Sequence, residues 1–177
     1  MKLVILDRDG TINHDSEQHI KSLAEWRPIE GSLEGIARLT QAGYRIVVAT
    51  NQSGIARGLL DTTTLVAIHD RLQRAAAQVG GRIDAFFFCP HAADSACACR
   101  KPRPGMLLEI ASRFNVSLAD VHMVGDARRD LEAAAAAGAR PVLVLTGKGA
   151  HTKAEGQLPA GTEVFPDLAS FARHLAP

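Results

Sequence analysis

Short aliphatic runs alternate with helix-period patterns along the whole chain, and that alternation leaves few folds open. Leu3–Leu6, Arg45–Thr50, Ala85–Phe88, Val121–Val124 and Pro141–Leu145 read as strands, with a weaker one near Glu163–Phe165. Helical spacing predicts Ser32–Gln41, Asp61–Val79, Pro104–Phe114, Leu131–Ala137 and a last helix near Leu168–Leu175. Gly43, Gly80-Gly81 and Gly138 fall where helix stops are expected. Apolar strands joined through helices require a parallel sheet covered on both faces. The expectation is one α/β domain over residues 1–177, doubly wound and mostly parallel, of Rossmann-like form. The chain's 177 residues suffice to bury a core without disulfides.

Sheets of this kind bind ligands beyond the carboxyl ends of their strands, where the strand order reverses. Polar chemistry should therefore cluster just after strands, and it does. Asp7-Arg8-Asp9-Gly10-Thr11 follows the first strand. Two carboxylates at i and i+2 repel unless a cation lies between them, and Mg²⁺ suits carboxylate and carbonyl oxygens. One carboxylate can attack phosphorus while the other protonates the leaving oxygen and later deprotonates water. Taken alone, Asp-x-Asp-Gly is more often a turn capped by aspartates.

Thr50-Asn51-Gln52-Ser53-Gly54 follows the second strand. Its hydroxyl and backbone N–H groups can hold phosphoryl oxygens, and Asn51 and Ser53 are candidate substrate contacts. In isolation the segment reads equally as a turn with a helix cap. Arg100-Lys101-Pro102 puts two cations in extended chain, where a lysine can neutralise a transferring phosphoryl group. An arbitrary Arg-Lys is more commonly a solvated pair. Gly125-Asp126-x-x-x-Asp130 sets one carboxylate at a strand end and another a helical turn later. Asp126 suits a Mg²⁺ ligand, and Asp130 a group behind it acting through water or hydrogen bonds. An N-cap and a first-turn charge are the alternative for that pair.

All three cysteines lie between positions 89 and 99. Cys89, His91, Cys97 and Cys99 supply three thiols and an imidazole, enough for a closed tetrahedral Zn²⁺ site with a structural role. That loop ends at Arg100-Lys101, so zinc would hold the lysine in place. His14 and His19 could line a pocket mouth or be solvated; His69 and the remaining histidines read as structural or surface residues.

In order and spacing the motifs resemble those of the haloacid dehalogenase-like (HAD) phosphohydrolase superfamily over nearly the whole chain. The resemblance implies Asp7 as nucleophile, Asp9 as acid/base, Thr50 and Lys101 as phosphoryl stabilisers and Asp126 as a Mg²⁺ ligand. It also implies that Mg²⁺ takes the backbone carbonyl of Asp9. Little sequence separates Gly10 from Ser32, so the large cap domain of many relatives has no room and a capless member is expected.

Ile55–Gly58 and Pro104-Gly105-Met106 are similar to a branch that removes the 7-phosphate of D-glycero-D-manno-heptose 1,7-bisphosphate in lipopolysaccharide precursor synthesis. There Arg100 would recognise substrate. Ala127 departs from the basic residue that relatives often carry directly after Gly-Asp. The five-residue spacer of the cysteine loop fits histidinol-phosphate phosphatases, which remain the alternative enzyme. A receiver-like phosphoacceptor module is the alternative outside enzymes.

Hydrophobic residues make up 46%, charged residues 22%, and the net charge is +1. Nothing there points to nucleic acid, no run approaches the roughly 18 apolar residues of a membrane span, and the N-terminus lacks a signal-peptide pattern. A cytoplasmic monomer acting on a small sugar phosphate is the expectation.

Overall fold

The computed structural model describes every residue from Met1 to Pro177. Six parallel strands run β1 (Leu3–Leu6), β2 (Arg45–Asn51), β3 (Ala85–Cys89), β4 (His122–Gly125), β5 (Arg140–Val144) and β6 (Glu163–Phe165) in chain order. In space they lie β3-β2-β1-β4-β5-β6. The chain winds outward from β1 in one direction, then returns to β4 on the other side. The strand order therefore reverses between β1 and β4, and the crevice between their carboxyl ends is the binding position for such a sheet.

Six helices cover it: α1 (Ser32–Gln41), α2 (Thr62–Gln78), α3 (Gly105–Phe114), α4 (Arg128–Ala137), α5 (Gly149–Glu155) and α6 (Leu168–Leu175). Side chains alternate across each strand and divide the core into two layers. Val4, Leu6, Val48 and Val124 pack under α1, α2 and α6 against Ile36, Leu65 and Phe171. Leu3, Ile5, Val47 and Met123 pack under α3 and α4 against Leu107, Ile110, Ala133 and Ala134. Alanines in α4 let that helix lie close to the sheet. Each fully buried leucine or isoleucine contributes about 1.5–3 kcal/mol relative to exposure.

The predicted elements are present, with ends shifted by a few residues. Helix α4 begins at Arg128, a turn before the predicted Leu131, because the Asp130 carboxylate accepts the Ala127 N–H at 3.1 Å and closes the first turn. It stops at Gly138, whose φ is 75°. Helix α2 is capped by Asp61, which accepts from the Thr64 N–H at 2.7 Å. Sequence reading passed over α5, which has only seven residues and opens on a glycine. Between β1 and α1 the chain forms only isolated bridges at Asp9–Asn13 and Asn13–Pro28, so nothing roofs the crevice as a cap domain would. No helix is long and apolar enough to cross a membrane.

Candidate active site

Register brings the motifs together. Leu6 pairs with Val48 on one side and Val124 on the other, and the Asp7 N–H donates to Val124 O at 2.8 Å. Asp7 thus leaves β1 beside the Asp126 end of β4. Gly10 makes the turn with φ 83°, and a Cβ there would collide with the Asp126 carboxylate. Only glycine fits that combination of backbone and contact.

Lys101 crosses to this point from the far side of the cysteine loop. Its Nζ donates to Asp7 Oδ1 at 2.9 Å and to Ala49 O at 2.7 Å, and lies 2.7 Å from Asp130 Oδ1. The first two contacts are hydrogen bonds and the third is an ion pair. Burial works against the charge, but the Asp130 and Asp7 carboxylates outweigh it and hold the amine above its ordinary pKa. Asp130 acts on this lysine directly as well as closing α4.

Asp7, Asp126 and Asp130 offer carboxylate oxygens within 4.8 Å of one another. Asp7 Oδ2 and Asp126 Oδ1 are buried without a hydrogen-bond partner. Burial, then Asp130, pushes Asp7 up to about 6. Burial, then Asp7 and Asp130, pushes Asp126 up to about 8. Two orphaned carboxylate oxygens whose charge is disfavoured by their surroundings are what a divalent cation would satisfy. The donor set, all oxygen, fits Mg²⁺.

Asp9 faces a different shell. Arg8 forks onto it, with Nε to Oδ1 at 2.9 Å and Nη2 to Oδ2 at 3.0 Å. Asn13 Nδ2 donates to Oδ1 at 2.8 Å and Gln52 Nε2 to Oδ2 at 2.9 Å. Burial would raise this carboxyl, but Arg8 and the two amides outweigh it and hold it below the usual range. Gln52 also donates to Thr50 Oγ1 at 2.9 Å, so the Thr50 hydroxyl proton stays free for an incoming oxygen.

A polar cleft of about 140 Å³ opens over these groups. Ser53, Arg100 and Asn51 line it. The Asn51 amide, however, is spent on Lys101: its Nδ2 donates to Lys101 O at 3.0 Å and its Oδ1 accepts the Lys101 N–H at 3.1 Å. It therefore anchors the lysine's backbone. Arg129, Lys148, Asp15 and His19 also line the cleft. Sequence reading had no role for Arg129 or Lys148. Arg129 Nε is buried without a partner, and the Lys148 N–H donates to Asp126 Oδ2 at 2.7 Å. The signal for Arg129 was its place two residues after Ala127, close to where relatives often carry a basic residue.

The family model described as HAD-hydrolase-like matches residues 98–171. A D-glycero-β-D-manno-heptose-1,7-bisphosphate 7-phosphatase of Bordetella bronchiseptica is 59% identical over 99% of this chain and 98% of its own. The corresponding protein of Pseudomonas putida is 54% identical over 99% of each chain. The chain belongs to the HAD-like hydrolase family. Its fold follows a crystal structure of the B. bronchiseptica D,D-heptose 1,7-bisphosphate phosphatase, complexed with magnesium and phosphate, with a TM-score of 0.97 over 99% of this chain and 98% of that one. The phosphatase chemistry implied by the motif order is the activity of these HAD-like relatives.

In this HAD-like chain the cysteine loop closes on itself, ending two residues before Lys101. Cys89 Sγ lies 3.7 Å from Cys97 Sγ and 3.5 Å from His91 Nδ1, and Cys99 Sγ lies 3.4 Å from His91 Nδ1. A tetrahedron with Zn–S near 2.3 Å and Zn–N near 2.0–2.1 Å has edges of about 3.8 and about 3.6 Å. The three separations above match those edges, and all four ligand atoms lie within 4.8 Å of one another. Burial, together with Cys89 and Cys97, pushes the Cys99 thiol up to about 12, so three thiolates would need a cation among them.

Proposed function

We propose that this chain removes the 7-phosphate of D-glycero-β-D-manno-heptose 1,7-bisphosphate and releases heptose 1-phosphate. The observation that carries the chemistry is the buried cluster of Asp7, Lys101, Asp126 and Asp130, with one free oxygen each on Asp7 and Asp126. Full-length identity of 59% to a phosphatase named for that substrate, β anomer included, supports the choice of ester.

Asp7 attacks phosphorus and becomes the aspartyl-phosphate as the P–O bond to the sugar breaks. To act as acid, Asp9 must first take up a proton against the shell that holds it below the usual range, then give it to the departing sugar oxygen. As the carboxylate it afterwards takes one from the water that attacks phosphorus. The aspartyl P–O bond breaks, inorganic phosphate leaves and Asp7 is regenerated. Lys101 and the Thr50 hydroxyl hold charge on the phosphoryl oxygens. The Asp7 and Asp126 carboxylates and the Asp9 backbone carbonyl would hold Mg²⁺, which supplies charge neutralisation at the phosphoryl group. Cys89, His91, Cys97 and Cys99 would hold zinc, which would keep the segment leading into Lys101 in place.

Arg100, Arg129 and Lys148 line the cleft together with Asp9, Asp15 and Glu17, so its charge is balanced and the choice of ester over histidinol phosphate rests on the identity to the named phosphatase. Phosphate release from α- and β-heptose 1,7-bisphosphate and from histidinol phosphate tests the reading. The β-heptose ester should show the highest kcat/KM; faster turnover of histidinol phosphate would overturn the choice. A stable Asp7-phosphate without turnover would point to a phosphoacceptor module.

A further inference from the structure

Two buried groups near Asp9 have no part in the chemistry above. Arg8 is 0% exposed and His69 is 5% exposed. Arg8 uses Nε and Nη2 on Asp9, and its Nη1 meets His69 Nε2 at 3.2 Å. Arginine cannot accept a hydrogen bond, so His69 Nε2 must be the acceptor and the ring must be neutral, with its proton on Nδ1. His69 stands on α2, 61 residues from Arg8. Its ring stacks on Phe86 of β3 at 4.4 Å with 12° between the planes, and meets Phe88 edge-on at 6.3 Å.

The chain of contacts therefore runs from a rigid aromatic stack, through an imidazole acceptor, to a guanidinium whose remaining face is a fork on Asp9. A planar fork fixes both the distance and the plane of a carboxylate, which a lysine could not do. Without an acceptor at Nη1, Arg8 would carry a buried, unpaired donor and gain from turning away. Burial, with the Arg8 charge beside it, pushes His69 down to about 3, which keeps it an acceptor across the working range.

We infer that Arg8 and His69 are positioning residues for Asp9: His69 orients the Arg8 fork, and the fork sets where Asp9 meets the leaving oxygen. The inference rests on the acid/base reading of Asp9. Proton delivery matters most for a poor leaving group such as a sugar alkoxide and least for an activated phenolate. Loss of Asp9 placement should thus discriminate between substrates, which a general weakening of the fold would not.

The test compares kcat/KM, which reports on leaving-group departure, for heptose bisphosphate and p-nitrophenyl phosphate. His69→Phe keeps the stack on Phe86 and removes the acceptor. It should lower kcat/KM on the sugar ester about 10- to 100-fold, and on the aryl ester by less than about threefold. His69→Gln restores an acceptor and should recover most of the loss. Phe86→Leu, which leaves both polar partners intact, should give a smaller loss in the same direction and serves if His69→Phe does not fold. Equal losses on both esters, no loss on the sugar ester, or His69→Gln as impaired as His69→Phe would each overturn the inference. Asp9→Asn separates the two readings. If it fails to change the sugar-to-aryl ratio, the acid/base role of Asp9 is wrong. If it changes that ratio while His69→Phe does not, only the positioning role falls.

Discussion

Lys101→Met removes one charge from the centre of the buried cluster at nearly constant length. The ammonium it deletes is 2.9 Å from Asp7 Oδ1, 2.7 Å from Asp130 Oδ1 and 2.7 Å from Ala49 O, in a residue 1% exposed. Removing one partner of a buried ion pair costs about 3–5 kcal/mol, because the other charge stays behind. For a chain of this size each kcal/mol moves Tm by about 2–4 °C, so metal-free Lys101→Met should melt about 6–20 °C below wild type. The same cluster holds the orphaned oxygens of Asp7 and Asp126. A divalent cation at 100 times its Kd returns about 2.7 kcal/mol, so Mg²⁺ should raise the variant's Tm more than the wild type's. Catalysis should not recover with it. Loss of one preorganised donor from a phosphoryl site costs about 100- to 1,000-fold in kcat. Thermal melts with and without Mg²⁺, and initial phosphate-release rates at saturating metal, measure both quantities. A metal-free Tm within about 3 °C of wild type, or a rate within about threefold of wild type, would refute the reasoning.

Purified protein should hold one zinc per chain, and the Cys97→Ser, Cys99→Ser double variant none; finding no zinc in the wild type would remove the site. The variant should also melt lower and lose activity, since Cys99 lies two residues before Lys101 in the sequence. Stability should fall on acidification through His69. Its folded pKa of about 3 lies below the unfolded value of about 6.5, so between those limits the unfolded chain binds a proton that the folded one refuses. The slope from this residue is at most about 1.4 kcal/mol per pH unit. Denaturant midpoints at pH 6.5 and 5.0 should converge in His69→Phe; an unchanged slope there would assign the acid sensitivity elsewhere.

The sheet and the strand-end aspartates were legible because both follow from local pattern. Apolar runs mark strands, and a parallel sheet gathers their carboxyl ends, so Asp7, Asp9, Thr50 and Asp126 could be placed together before any coordinates. The cysteine loop was legible for the same reason, with all its ligands inside eleven residues. What escaped depends on contacts between distant segments. His69 looks like any other histidine of a helix until α2 lays it against Phe86 and Arg8. Asn51 reads as a substrate contact until Lys101 arrives from 50 residues away to occupy its amide. Arg129 and Lys148 are charges of a kind that usually stays solvated, and only the closure of α4 and the chain after β5 turns them toward the cleft. Asp130 shows both sides: its place in α4 was readable, its contact with Lys101 was not.

The central claim is that Asp7 carries the phosphoryl group during turnover. Rapid quenching of the enzyme with heptose bisphosphate and Mg²⁺, followed by borohydride reduction and peptide mass spectrometry, examines it directly. The prediction is homoserine at position 7 in wild type, and neither homoserine nor phosphate release in Asp7→Asn. Normal phosphate release with Asp7 unmodified, or with asparagine in its place, would contradict it.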